Sequence, residues 1–118
     1  MGFGFKDLDV WKKSVKFAEA VISVTERLDT AKKHFRLVEN LESAVVSVAA
    51  NIAEGKGRYS RKEFAQFLYI ARGSLYETVT HLEIFKNKKW ISDTEYNSLL
   101  KDSEEIAKMI NGLIAAIR

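Results

Sequence analysis

The chain has no cysteine and no proline, and only six glycines among its 118 residues. Lack of cysteine excludes disulfides, thiolate metal ligands and a cysteine nucleophile, and suits a reducing compartment. Lack of proline, with so little glycine, leaves few places where a helix must stop, so long helices joined by short turns are expected. No apolar run approaches the roughly 18 residues of a membrane span, and residues 1–9 lack the apolar stretch of a secretory signal. The expectation is a cytoplasmic protein with no membrane partner. Charge of one sign is scarce too. Lys and Arg total 19 against 16 Asp and Glu, a net charge of +3, which permits a nucleic-acid partner without requiring one. At 118 residues the chain is expected to form one domain, residues 1–118, large enough for a core without staples.

What is present is helical periodicity. A first helix is expected after Asp7 as N-cap, running to about Leu28. It carries two apolar stripes: Leu8, Trp11, Val15, Ala18 and Ile22 on one side, Val10, Phe17, Val21, Val24 and Leu28 on another. A bundle helix needs only one. A second helix, from about His34 to Glu54, repeats Val38, Leu41, Val45, Val48 and Ile52 as its core stripe. Opposite lie the small residues Asn40, Ser43, Ser47, Ala50 and Asn51, a face that invites close approach. Third and fourth helices open on capping-box sequences, Ser60–Glu63 and Ser92–Glu95. The third stripe reads Phe64, Phe67, Leu68, Ala71, Leu75, Thr78, Leu82, Phe85, and the fourth Tyr96, Leu99, Leu100, Ala107, Ile110, Ile114, Ile117. Short connections between neighbours predict an all-α, antiparallel up-down-up-down four-helix bundle.

Little in the chain points to catalysis. Glu77 and His81 share a helix face, but the two Glu-x-x-His pairs of a di-iron bundle are absent. Arg27 and His34 match the loose spacing of some helical ribonucleases, yet they bracket a predicted turn. No serine has a histidine placed to activate it. A non-enzymatic protein without metal or cofactor is expected.

The stretch ANIAEGKGRYSRKEF, residues 50–64, concentrates the remaining features. Gly55-Lys56-Gly57 lacks the spacing of a phosphate-binding P-loop, so Gly55 is expected as a left-handed helix cap with Gly57 completing the turn. Lys56, Arg58, Arg61 and Lys62 surround the start of the third helix and are the candidate nucleic-acid contacts. A second basic group, Lys32, Lys33, His34, Arg36, Lys86, Lys88 and Lys89, is expected at the other end of the bundle. Ser47, Asn51 and Glu54 on the second helix, with Ser74 and Glu77 on the third, are expected to form a structural polar network. Arg58 or Arg72 would neutralise a glutamate in it. Tyr69, Arg72, Gly73 and Tyr76 make another face, suited to a protein interface or to bases.

NIAEGKGR (residues 51–58), SRKEF (60–64), IARGSLYE (70–77) and the N-terminal FKDLDVWKKS (5–14) together resemble the signature of a bacterial four-helix-bundle family. Its founding members are encoded by intervening sequences inside large-subunit ribosomal RNA genes. The accessory variability protein of diversity-generating retroelements is related: a basic, pentameric bundle that binds nucleic acid and a reverse transcriptase. The resemblance implies a homopentamer with no known catalytic activity. The chain departs from the family pattern early in the second helix, where Asn40-Leu41-Glu42-Ser43-Ala44 replaces a Gln-x-Arg-Arg-Ala run, and it lacks the customary proline in the first connection. The functional expectation is a homo-oligomeric scaffold for RNA, DNA or a nucleoprotein. The alternative is a protein–protein interaction module that binds no nucleic acid.

Overall fold

The computed structural model describes residues 2–28 and 33–118. A short 3-10 helix, Gly4–Asp7, precedes four α-helices: α1 Asp9–Thr25, α2 Phe35–Lys56, α3 Arg61–Asn87 and α4 Asp93–Ile117. Each helix packs against its chain neighbours, and α1 packs against α4, closing a four-membered ring of helices 44 Å long and 22 Å across. Cross-helix bonds fix the antiparallel sense. Lys13 of α1 and Arg27, just past its end, reach Glu105 and Glu95 of α4, so rising numbers on one helix meet falling numbers on the other. Tyr96 and Asn111 of α4 meet Glu83 and Arg72 of α3 in the same way. This is the expected all-α four-helix bundle. Among the described residues, no helix is long and apolar enough to cross a membrane.

The core follows the stripes. All five stripe residues of α2 are buried, and α3 buries every member of its stripe except the half-buried Phe67. Leu41, Ile52, Leu68, Leu75, Leu82, Phe85, Ile106 and Ile110 are almost wholly enclosed, each contributing roughly 1.5–3 kcal/mol of apolar burial. Ile106 was not part of the expected α4 stripe. On α1 the Val10, Phe17, Val21, Val24 stripe forms the core, whereas Trp11, Val15 and Ile22 of the other stripe are half-buried at the seams. No large apolar side chain of α1 is fully exposed, so the surplus expected there is mostly absorbed within the bundle. The exposed ones within helices lie on α2 and α3: Phe35, Leu37 and Val46, then Tyr69, Ile70, Tyr76 and Ile84.

Two helix ends differ from expectation. Asp7 does not cap α1. It closes the 3-10 turn, and extended Leu8 is the N-cap without a side-chain bond; Phe5 is drawn back onto the edge of Trp11, ring centroids 5.2 Å apart. Gly55 is not a left-handed cap either. It lies inside α2 in helical conformation and buried, and no glycine has positive φ. Among the described residues the left-handed one is Lys89, φ 63°, just past α3. There the Trp90 N–H donates to the Phe85 carbonyl and the Lys89 N–H to that of Lys86, both at 2.9 Å. Trp90 packs edge-on against Phe85, completing the paired hydrogen bonds and apolar contact of a Schellman cap.

Candidate functional site

Where α2 and α3 face each other near the middle of the hairpin, both present serine. Ser47 Oγ and Ser74 Oγ lie 2.9 Å apart, and Asn51 Nδ2 donates to both the carbonyl and the hydroxyl of Ser47 at 2.8 Å. These three half-buried residues are the part of the expected network that forms. Glu54 stands outside it, on the surface, accepting a 2.8 Å bond from Arg58 Nη2 one turn on. Glu77 is exposed, and its carboxylate makes no hydrogen bond among the described residues. Arg72 neutralises neither glutamate: its Nη1 donates to Asn111 Oδ1 on α4 at 2.9 Å. Among the described residues no third histidine, aspartate or glutamate joins Glu77 and His81 as a metal-sized group.

The junction between α2 and α3 is organised by Ser60, whose Oγ accepts from the Glu63 N–H at 3.1 Å. The Glu63 carboxylate bonds the Ser60 hydroxyl instead of its backbone, so only half of that capping box forms. The second, Ser92–Glu95, is complete. Around Ser60 the four expected cations diverge. Lys56 and Arg58 line a groove of about 290 Å³ with Phe3, Gly4 and Phe5. The Arg58 guanidinium is further engaged, 4.7 Å from the Phe67 ring centre and paired with Glu54.

Arg61 and Lys62 belong to a different groove, of about 510 Å³, between the start of α3 and the end of α4. Ala65, Gln66, Tyr69, Ile117 and Arg118 complete it. Helical spacing alone aligns Lys62, Gln66 and Tyr69, and that signal was available in the sequence. Arg118 was not foreseeable, because it arrives from α4, more than fifty residues away in the chain.

At the opposite end, His34 stacks on Trp90 with centroids 4.7 Å apart, bringing the start of α2 beside the turn after α3. Lys33, Arg36, Lys88 and Lys89 are exposed there, and Lys32 lies outside the described residues. Lys86 is turned to structural use, 3.3 Å from Glu83 and 4.5 Å from the Tyr96 ring centre. The Tyr96 hydroxyl donates to Glu83 Oε1 at 2.5 Å. That bond, before any other influence, pushes the Tyr96 phenol up to about 12 and holds the Glu83 carboxyl below the usual carboxylate range. Glu95 is likewise held low, first by Arg27 and then by the Ser92 N–H.

Two faces remain for partners. On α3, Arg72 lies 4.9 Å from the Tyr69 ring centre and 5.9 Å from that of Tyr76, tying both rings to α4 through Asn111. On the outward side of α2 and α3, Val46, Ala50, Ile70, Gly73 and Ile84 are exposed. Val46 and Ala50, with Ile22, Ser43 and Ser47, also line a broad groove of about 600 Å³, edged by Glu39 and Glu42. Glu42 also accepts a 2.6 Å bond from Thr25, which holds the end of α1 against α2.

A crystal structure of a protein of unknown function, from the S23 ribosomal protein family of Bacteroides thetaiotaomicron VPI-5482, is similar to this chain. It shows 30% identity and a TM-score of 0.83, over 89% of this chain and 97% of that one. No curated protein matches the chain. Residues 6–112 match the family model described as 23S rRNA-intervening sequence protein, and the chain belongs to that family.

Proposed function

We propose that the chain is a non-enzymatic scaffold that assembles with copies of itself and holds nucleic acid or a nucleoprotein on its basic surfaces. The observation that carries the reading is the outward side of α2 and α3. Val46, Ile70 and Ile84 are each about half exposed there, at 48%, 51% and 46%, among Ser43, Ala50 and Gly73. Such half-exposed apolar side chains support a surface that a partner covers, and small residues near them in sequence let a second helix come close. Five copies in a ring is the stoichiometry that the sequence resemblance implies, and a closed ring satisfies every copy of a head-to-tail contact. A ring would also repeat the basic groups of Lys56, Arg58, Arg61 and Lys62 once per subunit, raising avidity where each contact alone is weak.

Light scattering tests the assembly. A particle several times the 13.4 kDa subunit is expected, and Val46→Glu with Ile70→Glu should reduce it to a helical monomer. A wild-type monomer at micromolar concentration would remove the scaffold reading. Nucleic-acid affinity across a salt series tests the second half, since phosphate contacts make affinity fall steeply with salt. A wild-type assembly that binds no nucleic acid at low salt would leave the protein-interaction module.

A further inference from the structure

The groove between the start of α3 and the end of α4 has properties that a general polyanion does not require. We propose that it takes single-stranded nucleic acid, with phosphates on Arg61, Lys62 and Arg118 and a base laid on Tyr69. This inference rests on the nucleic-acid reading above and narrows it from any phosphate polymer to one with unpaired bases.

The charge of the groove is available. Arg58 shares its charge with Glu54 at 2.8 Å, but among the described residues none of Arg61, Lys62 and Arg118 is ion-paired. The groove, at about 510 Å³, falls within the roughly 300–1,000 Å³ typical of clefts that enclose small organic groups. Its apolar lining, Ala65 and Ile117, and its aromatic ring, Tyr69, would be idle against a duplex, which turns phosphates outward and keeps base faces stacked within. A single strand offers both chemistries at once, a charged backbone and a π-face on every base. Gln66, also in the lining, supplies an amide that can donate to and accept from a base edge.

Two further observations support this occupant. Arg72 lies against Tyr69 and is anchored by Asn111, so the tyrosine is held in orientation while still 39% exposed. Tyr59, two residues before Arg61 in the chain, is fully exposed. A tyrosine in that position adds nothing to the core and is free to stack on a neighbouring base.

The test is fluorescence anisotropy of the full chain with short labelled strands, as RNA and as DNA, against duplexes of the same length and against polyglutamate. Single strands should bind at least about tenfold more tightly than duplexes, and polyglutamate should not compete. Tyr69→Ala should weaken the single-strand complex about fivefold to a hundredfold, the range for loss of one stacked base, whereas Tyr69→Phe should keep most of the affinity. Tyr59→Ala, at a position outside the core, should give a smaller loss with unchanged circular dichroism. Arg118→Gln should flatten the salt dependence. Equal binding of strand and duplex with both alanine variants neutral would overturn the inference and leave the nucleic-acid reading standing. Effective competition by polyglutamate would overturn it in favour of a general anion groove. Binding of neither strand nor duplex would overturn both.

Discussion

Gly55 of α2 and Phe67 of α3 are so close that a Cβ on the glycine would fall 2.6 Å from the Phe67 Cβ, and 3.0 Å from a ring carbon of Phe64. The glycine therefore sets how nearly two long helices approach just before their connecting turn. Gly55→Ala should destabilise the fold by about 1–3 kcal/mol, the usual scale of overpacking, although alanine favours a helix by about 1 kcal/mol. The obstructing atom is bonded to the backbone of α3 and cannot swing aside, so the clash outweighs the propensity. Gly112→Ala, where a Cβ meets nothing within 4 Å, should instead gain up to about 1 kcal/mol. Urea unfolding of the two variants compares them directly. A Gly55→Ala protein as stable as wild type would mean the helices can separate without loss.

Asn51 and Glu54 look equivalent in sequence, one turn apart on α2, yet they are expected to behave differently. Asn51 bonds Ser47 twice beside the Ser74 contact, so Asn51→Ala should cost roughly 1–2 kcal/mol, as when a half-buried hydrogen-bond partner is removed. Glu54 has only an exposed pair with Arg58, and Glu54→Ala should change stability by less than about 0.5 kcal/mol. Chemical unfolding separates the two. An equal loss at Glu54 would place its carboxylate in a contact between copies.

Lys89 holds φ at 63°, a conformation that glycine adopts without steric cost. Lys89→Gly should therefore raise stability by about 1 kcal/mol, because the backbone bonds of the cap need no side chain at that position. A rise in thermal midpoint is the expected reading. A fall would mean that the lysine stem covers enough of Trp90 or Phe85 to outweigh its backbone strain.

The Tyr96–Glu83 bond makes stability depend on pH at both extremes. The folded state raises the phenol from its ordinary 10.0 to about 12. Its proton is thus held more tightly folded than unfolded, and the contribution is present below pH 10 and lost as pH climbs towards about 12. Glu83 has the opposite sign. Its carboxyl is lowered from 4.5, so its contribution is present above that value and lost on acidification. Tyr96→Phe removes the first and the tyrosine's share of the second, leaving Lys86 beside Glu83. The gap in thermal midpoint between wild type and variant should be widest near neutrality and narrow towards either extreme. A gap that is constant with pH would assign the tyrosine to packing alone.

The helices themselves were legible because their signal is local. Ser60 and Ser92 accept from the N–H three residues on, as their capping sequences require, and the α2 stripe is buried residue for residue. Periodicity also found Ser47, Asn51 and Ser74, since small polar residues on facing stripes have one another as their nearest partners. It failed where one letter has two uses. Gly55 reads as a helix stop when only its own backbone is considered, and Lys89 carries no glycine signal at all, because the bonds that hold it left-handed come from Phe85 and Lys86.

Four helices, their order and the buried faces of α2 and α3 were determined by the sequence alone, through spacings of three and four residues that any helical segment must obey. Packing chose between the two stripes of α1 and drew Ile106 into the core. Which cations act together was decided only by tertiary packing. Lys56, Arg58, Arg61 and Lys62 lie within seven positions, yet the turn at Ser60 sends two to each of two grooves, and the close approach at Gly55 accompanies the engagement of Arg58 with Glu54 and Phe67. The antiparallel return of α4 then adds Arg118 to Arg61 and Lys62. Proximity along a chain fixes which residues share a helix face. Proximity between side chains of different helices is set by how closely and in what register those helices dock.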